Sequence, residues 1–276
     1  MQTLKRLSNF LSPQQLISDT SAQWIIECYA YALQNFDEQE FYQRSVLVKP
    51  SNEFFPGKVA SIAEKAENIF QHCLKYSGLQ HWPFQLYHPG EQAETSLHSF
   101  GFEVIKRNSA DKLDDLAVNE ASQSPAISIP PIMLSYNPQQ TLKPEDLAAS
   151  YAQLLAQHLI LQAKQLPPGG RDYFIEASEV VGVFMGFGIV MCNSAYTFRG
   201  GCGSCFNAAA NRQASLAEGE VLFALALYCH LKKVDSGDVT QYLKKHLKRS
   251  YKTAVKQVSK MVQSGLLTAL QSQPST

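Results

Sequence analysis

Apolar residues recur at three- and four-residue steps along much of the chain, the spacing that lines them up on one helix face. The pattern predicts a first helix over residues 21–36, with Trp24, Cys28, Tyr31 and Ala32 on one side. It predicts a second over residues 58–76, with Val59, Ile62, Ala63, Ala66, Ile69, Phe70 and Cys73 inward and Gly78 as its C-terminal stop. Strand signals are short: residues 45–48, 83–87 and 102–105, and an edge strand over 126–136 interrupted by Pro130 and Pro131. Residues 107–124 are polar and weakly patterned, as expected of a loop or a marginal helix.

From Pro144 onward helical spacing dominates. Pro144 suits a first helical position, and Glu145 and Asp146 suit the positive helix end. That helix is predicted to run to residue 164, with a break at the prolines and glycines of 167–170. A long helix follows over 173–195, then a small-residue connector over 199–214. Ser215 and Glu218 have capping-box spacing ahead of a helix over 216–233, and helices over 239–246 and 250–270 complete the prediction. Residues 271–276 read as a frayed tail. The expected fold is α+β in a single domain spanning residues 1–276: a mixed helix and strand half over 1–136, carrying a small mixed or antiparallel sheet, and a helical half over 144–270.

One stretch stands apart. Residues 180–198, VVGVFMGFGIVMCNSAYTF, carry no charge, and Glu176 and Glu179 stand just ahead of them. The run reaches the length of a membrane span, but Asn193, Ser194 and Thr197 in its second half favour a buried core helix. Gly182, Gly186 and Gly188 favour close helix packing; a glycine inside a helix costs about 1 kcal/mol relative to alanine, so a packing reason is expected. On the preceding helix Leu147, Tyr151, Leu154, His158 and Leu161 share a face, which turns His158 inward and calls for a partner such as Glu176 or Glu179.

Charge changes the picture little. With 24 Lys and Arg against 24 Asp and Glu the chain is neutral, which argues against broad binding to nucleic acid. The basic segment 244–260 is either a solvated helix face or a docking surface for an acidic partner. The N-terminal residues lack a signal core, so the six cysteines are expected to be reduced thiols of a cytoplasmic protein. Cys192, Cys202 and Cys205 have the spacing C-x9-C-x2-C, open to three readings: a structural metal site, a redox dithiol, or free thiols in a small-residue loop. His72, His81, His88 and His98 lie in one stretch without ligand spacing, and Ser194 and Ser204 sit in no nucleophile-elbow context.

The stretch Glu179-Val-Val-Gly-Val183-Phe184-Met-Gly186-Phe-Gly188-Ile189, followed by Cys192-Asn193-Ser194-Ala195 and later by Phe223-Ala224-Leu225-Ala226-Leu227-Tyr228, resembles a group of uncharacterised bacterial proteins with a zincin-like core. The resemblance covers about a third of the chain and implies a metallopeptidase-type helix pair. In that group a His-Glu-x-x-His helix holds the metal. Here the corresponding residues read Gln157-His158-Leu159-Ile160-Leu161, and no register keeps two histidines four apart with a carboxylate between them. The resemblance therefore implies a vestigial site of Gln157, His158, Glu176 and Glu179 with no catalytic residue. The expected function is that of a non-catalytic scaffold acting by binding or assembly. Two alternatives remain open: a metalloprotein using His158 and Glu179 or the cysteine cluster, and a thiol-dependent redox protein. No cofactor is assigned, zinc being the metal these ligands would suit. A protein partner fits better than nucleic acid or a membrane span.

Overall fold

The computed structural model describes residues 15–87, 105–108, 131–195 and 210–267, together with Leu270. Helix α1 (Asp19–Asn35) starts where the Ser18 hydroxyl accepts the Ser21 amide at 3.1 Å. It buries more than one stripe, including Ile25, Cys28, Tyr29 and Ala32, while Trp24 stays half-buried. Asp37, at φ +62°, reverses the chain and caps the short helix α2 (Glu38–Gln43). Residues 45–48, expected as a strand, pair with no strand among the described residues; Val48 instead donates its amide to the Gly186 carbonyl at 2.9 Å.

Helix α3 (Ile62–Ser77) is capped by Ser61 and closed by Gly78 at φ +76°, as its sequence implied. Val59 and Ile62, expected inward, are exposed, because the helix starts only at Ile62 and its first turn lies outside the core. Strands β1 (Phe84–Tyr87) and β2 (Ile132–Ser135) pair in parallel, Phe84 opposite Ile132. The long intervening sequence leaves room for the crossover that a parallel pair needs. The fold is α+β, with this small sheet in the first half and packed helices in the second.

A 3-10 turn (Pro138–Leu142) leads into α4 (Pro144–Gln162). The long apolar helix predicted next is split into α5 (Phe174–Gly182), a kink over Val183–Phe187, and α6 (Gly188–Ser194). Gly186 makes the kink with φ +104°, and a Cβ there would lie 2.2 Å from the Val46 carbonyl oxygen. The kink thus lets the extended segment before Val48 lie against the helix. By length and composition Phe174–Ser194 is apolar enough to cross a membrane, yet 83% of its apolar window is buried inside the fold, against α4, α1 and α7 (Glu218–Leu231).

Helix α7 is buried continuously from Val221 to Cys229, as a helix apolar on every side must be. Its start differs from expectation. Glu220, not Glu218, accepts the Ala217 amide at 3.1 Å, since Ser215 is drawn away to Glu179 and Glu218 pairs with His246 at 3.6 Å. Helices α8 (Ser236–Thr240) and α9 (Leu247–Gln263) follow, α9 lying along α7. Buried residues from Ala22 to Leu270 join in one hydrophobic core.

Candidate functional site

Glu179 sits in the second turn of α5 with no exposed surface. Its Oε1 accepts from Arg212 Nη1 at 3.1 Å and from the Ser215 amide at 2.8 Å, and its Oε2 accepts from the Leu216 amide at 3.1 Å. Burial pushes the carboxyl above its usual range, while Arg212 and the two amides pull it back. Burial likewise lowers the Arg212 guanidinium, opposed by Glu179 and Asp146. Asp146, in the first turn of α4, is buried and accepts the Arg212 amide at 3.0 Å. The Glu179 carboxylate therefore fastens the segment ahead of α7 to α5, and Asp146 fastens the same segment to α4.

This corrects the expected pairing of Glu179 with His158. His158 is half-buried, its ring 5.5 Å from that of Phe84 on β1, and its buried Nδ1 makes no hydrogen bond. Burial lowers its pKa to about 4, so the ring is neutral at pH 7. The predicted inward stripe turns toward the surface along α4. Leu147 and Tyr151 are fully buried, but Leu161 is 40% exposed, and Leu155, Ala156, Leu159 and Ile160 carry the core face of the last two turns. Glu176 is half-buried in the first turn of α5 and takes no part in the Arg212 network.

Of the four expected vestigial residues, two meet around Arg212. Gln157 and Arg212 line one cleft of about 410 Å³ with Ser135, Gln140 and Tyr151, and Glu179 holds Arg212 from behind. The Tyr151 hydroxyl and the Arg212 Nε and Nη2 are buried and make no hydrogen bond. The cleft offers amides, hydroxyls and one guanidinium, a surface suited to hydrogen-bonding groups rather than to activating water.

Zinc does not fit here. Both Glu179 oxygens are held by donors, and among the described residues no three His, Cys, Asp or Glu side chains converge on one point. Cys192 is buried, and its thiol is held well above its usual pKa by burial, which disfavours the thiolate a metal needs. Cys229 is buried in the same way, pushed up to about 12. Cys202 and Cys205, the rest of the expected cluster, lie outside the described residues, as do His88 and His98. His72 lies against Tyr76, ring centroids 6.3 Å apart, and His81 is edge-on to Trp82.

The glycines have distinct surroundings. A Cβ on Gly182 would meet the Met191 sulfur at 2.7 Å, and one on Gly188 would meet Leu225 of α7 at 2.7 Å. Asn193, at the end of α6, joins three elements. Its Nδ2 donates to Glu145 Oε2 at 2.6 Å and to the Tyr242 carbonyl at 2.9 Å, and its Oδ1 accepts the Lys244 amide at 3.0 Å.

Arg212 and Asp146 carry the site, and the sequence did not single out either for it. The available signal was an isolated arginine in a small-residue connector downstream of a glutamate that opens an uncharged run. Compared with known protein families, curated proteins and solved structures, the chain matches none.

Proposed function

We propose that the chain is a non-catalytic scaffold of zincin-like descent that acts by binding or assembly. The observation that carries this reading is the commitment of both Glu179 oxygens to Arg212, Ser215 and Leu216. In a metallopeptidase the acidic residue of the second helix faces the metal; here it anchors an arginine. On this reading a hydrogen-bonding cleft lined by Gln157, Tyr151 and Arg212 stands where the metal would be. The buried free thiols of Cys28, Cys73, Cys192 and Cys229 and the burial of the apolar helix support a soluble protein of the cytoplasm.

The test is elemental analysis of the purified protein with an assay of peptide cleavage in added zinc. The expected result is less than stoichiometric zinc, no cleavage, and a melting temperature unchanged by a chelator. Stoichiometric zinc with cleavage abolished by Glu179→Gln would overturn the proposal.

A further inference from the structure

The chain is neutral overall, but its charge is segregated. Beyond Asp238 there is no Asp or Glu, while Lys244, Lys245, Lys248, Arg249, Lys252, Lys256 and Lys260 all fall in this stretch. Helix α9 carries the last five. Lys248, Lys252, Lys256 and Lys260 follow one another at four-residue steps, so each is the surface neighbour of the next. Arg249, Lys252, Lys256 and Lys260 are exposed, Lys248 is half-buried, and none of the five forms an ion pair among the described residues. Like charges at this spacing oppose helix formation, and surface helices ordinarily intersperse glutamates that relieve it. Here the opposite face of the helix, with Tyr251, Ala254 and Val258, is held in the core, so the row cannot turn away from itself.

The row also borders a cleft. Arg249, Lys252, Lys256 and Lys260 line a depression of about 1080 Å³ whose other wall is Gln15 and Asp19 at the start of α1. Asp19 is engaged by the Gln15 amide at 3.0 Å. Gln257 fixes that wall, accepting the amides of Leu16 and Ile17 at 3.0 and 3.3 Å. The four cations of the cleft therefore outnumber its one carboxylate, Asp19, and form no ion pair with it.

We infer that this face of α9 is a docking surface for an acidic polypeptide segment, whose carboxylates would occupy the cleft along the lysine row. The inference rests on the binding reading above and names the partner class for it. A recessed cleft fits a chain better than a bilayer, and α9 presents no exposed large apolar side chain to insert into lipid. The attraction is electrostatic and accessible to salt, so it weakens as the screening length shortens.

The test uses the full chain and a fluorescein-labelled decaglutamate peptide, followed by anisotropy at low ionic strength. A length-matched Gly-Ser peptide and vesicles of phosphatidylcholine with phosphatidylserine serve as comparisons. Decaglutamate should bind, the Gly-Ser peptide should not, and binding should fall about tenfold or more in the double variant Lys252→Glu, Lys256→Glu. The control Lys58→Glu, on a separate exposed segment, should leave binding unchanged. Thermal unfolding of the double variant should be at or above that of wild type, since the changes relieve like-charge contacts. The inference is overturned if decaglutamate binds no tighter than the neutral peptide, if the double variant binds it as wild type does, or if the vesicles bind more tightly than the peptide. None of these outcomes bears on zinc content or peptide cleavage, so this inference and the scaffold reading fail separately.

Discussion

Glu179 and Arg212 form an ion pair at 3.1 Å with both side chains almost wholly out of water, 0% and 2% exposed. Such a pair is costly to desolvate, and its attraction offsets that cost only when the remaining donors and acceptors are also satisfied. Glu179 meets that condition through the Ser215 and Leu216 amides; Arg212 does so only in part. Breaking the pair from either side strands a charge in the core. The pair also fixes register, since it fastens the segment ahead of α7 to α5, just before the uncharged run.

Gly186 is the least replaceable glycine of the apolar helix. An alanine there would hold a positive φ and drive its Cβ into the Val46 carbonyl at 2.2 Å. Gly186→Ala should cost about 3 kcal/mol or more in denaturant unfolding. Gly182→Ala should cost less than about 1 kcal/mol, because its neighbour is the flexible end of Met191 and alanine favours the helix. Equal losses at the two positions would contradict this account of the kink.

His158 should make stability fall with acid. Its pKa is about 4 in the fold against an ordinary value of 6.5, so the unfolded chain takes up the proton first. Wild type should match His158→Leu in its pH response above pH 7. It should then lose about 2–3 kcal/mol relative to that variant as pH drops from about 6.5 to about 4, where the loss levels off. Parallel stability curves for the two proteins across this range would contradict the neutral, half-buried ring.

Asn193 should behave as a structural knot. Asn193→Ala removes bonds to Glu145, the Tyr242 carbonyl and the Lys244 amide together, and should cost about 2–3 kcal/mol. Hydrogen exchange should quicken at the Lys244 amide before the core of α7 is affected. Unchanged exchange there would show that the link between α6 and the segment joining α8 to α9 is held by other contacts.

Periodicity made the helices legible, because burial of one face at three- and four-residue steps leaves a direct trace. It was less good at direction. The stripe through His158 holds at Leu147 and Tyr151 but reaches solvent by Leu161, since the last turns of α4 face their neighbours with Leu155 and Leu159. Ser215 and Glu218 had the spacing of a capping box, but the Ser215 amide answers to Glu179 from another helix. Glu179 was legible as an acidic residue beside an uncharged run. Its partner was not, because nothing local marks an arginine 33 residues away as the one that folds back.

The central claim, that Glu179 is an anchor for Arg212, is tested most directly by a double-mutant cycle in denaturant unfolding of Glu179→Gln, Arg212→Met and the double variant. Arg212→Met should cost about 3–5 kcal/mol by leaving the carboxylate buried without its cation, and the double variant should be less destabilised than the sum of the singles by about 2 kcal/mol or more. Additivity within about 0.5 kcal/mol would contradict the account and return Glu179 to the search for another partner.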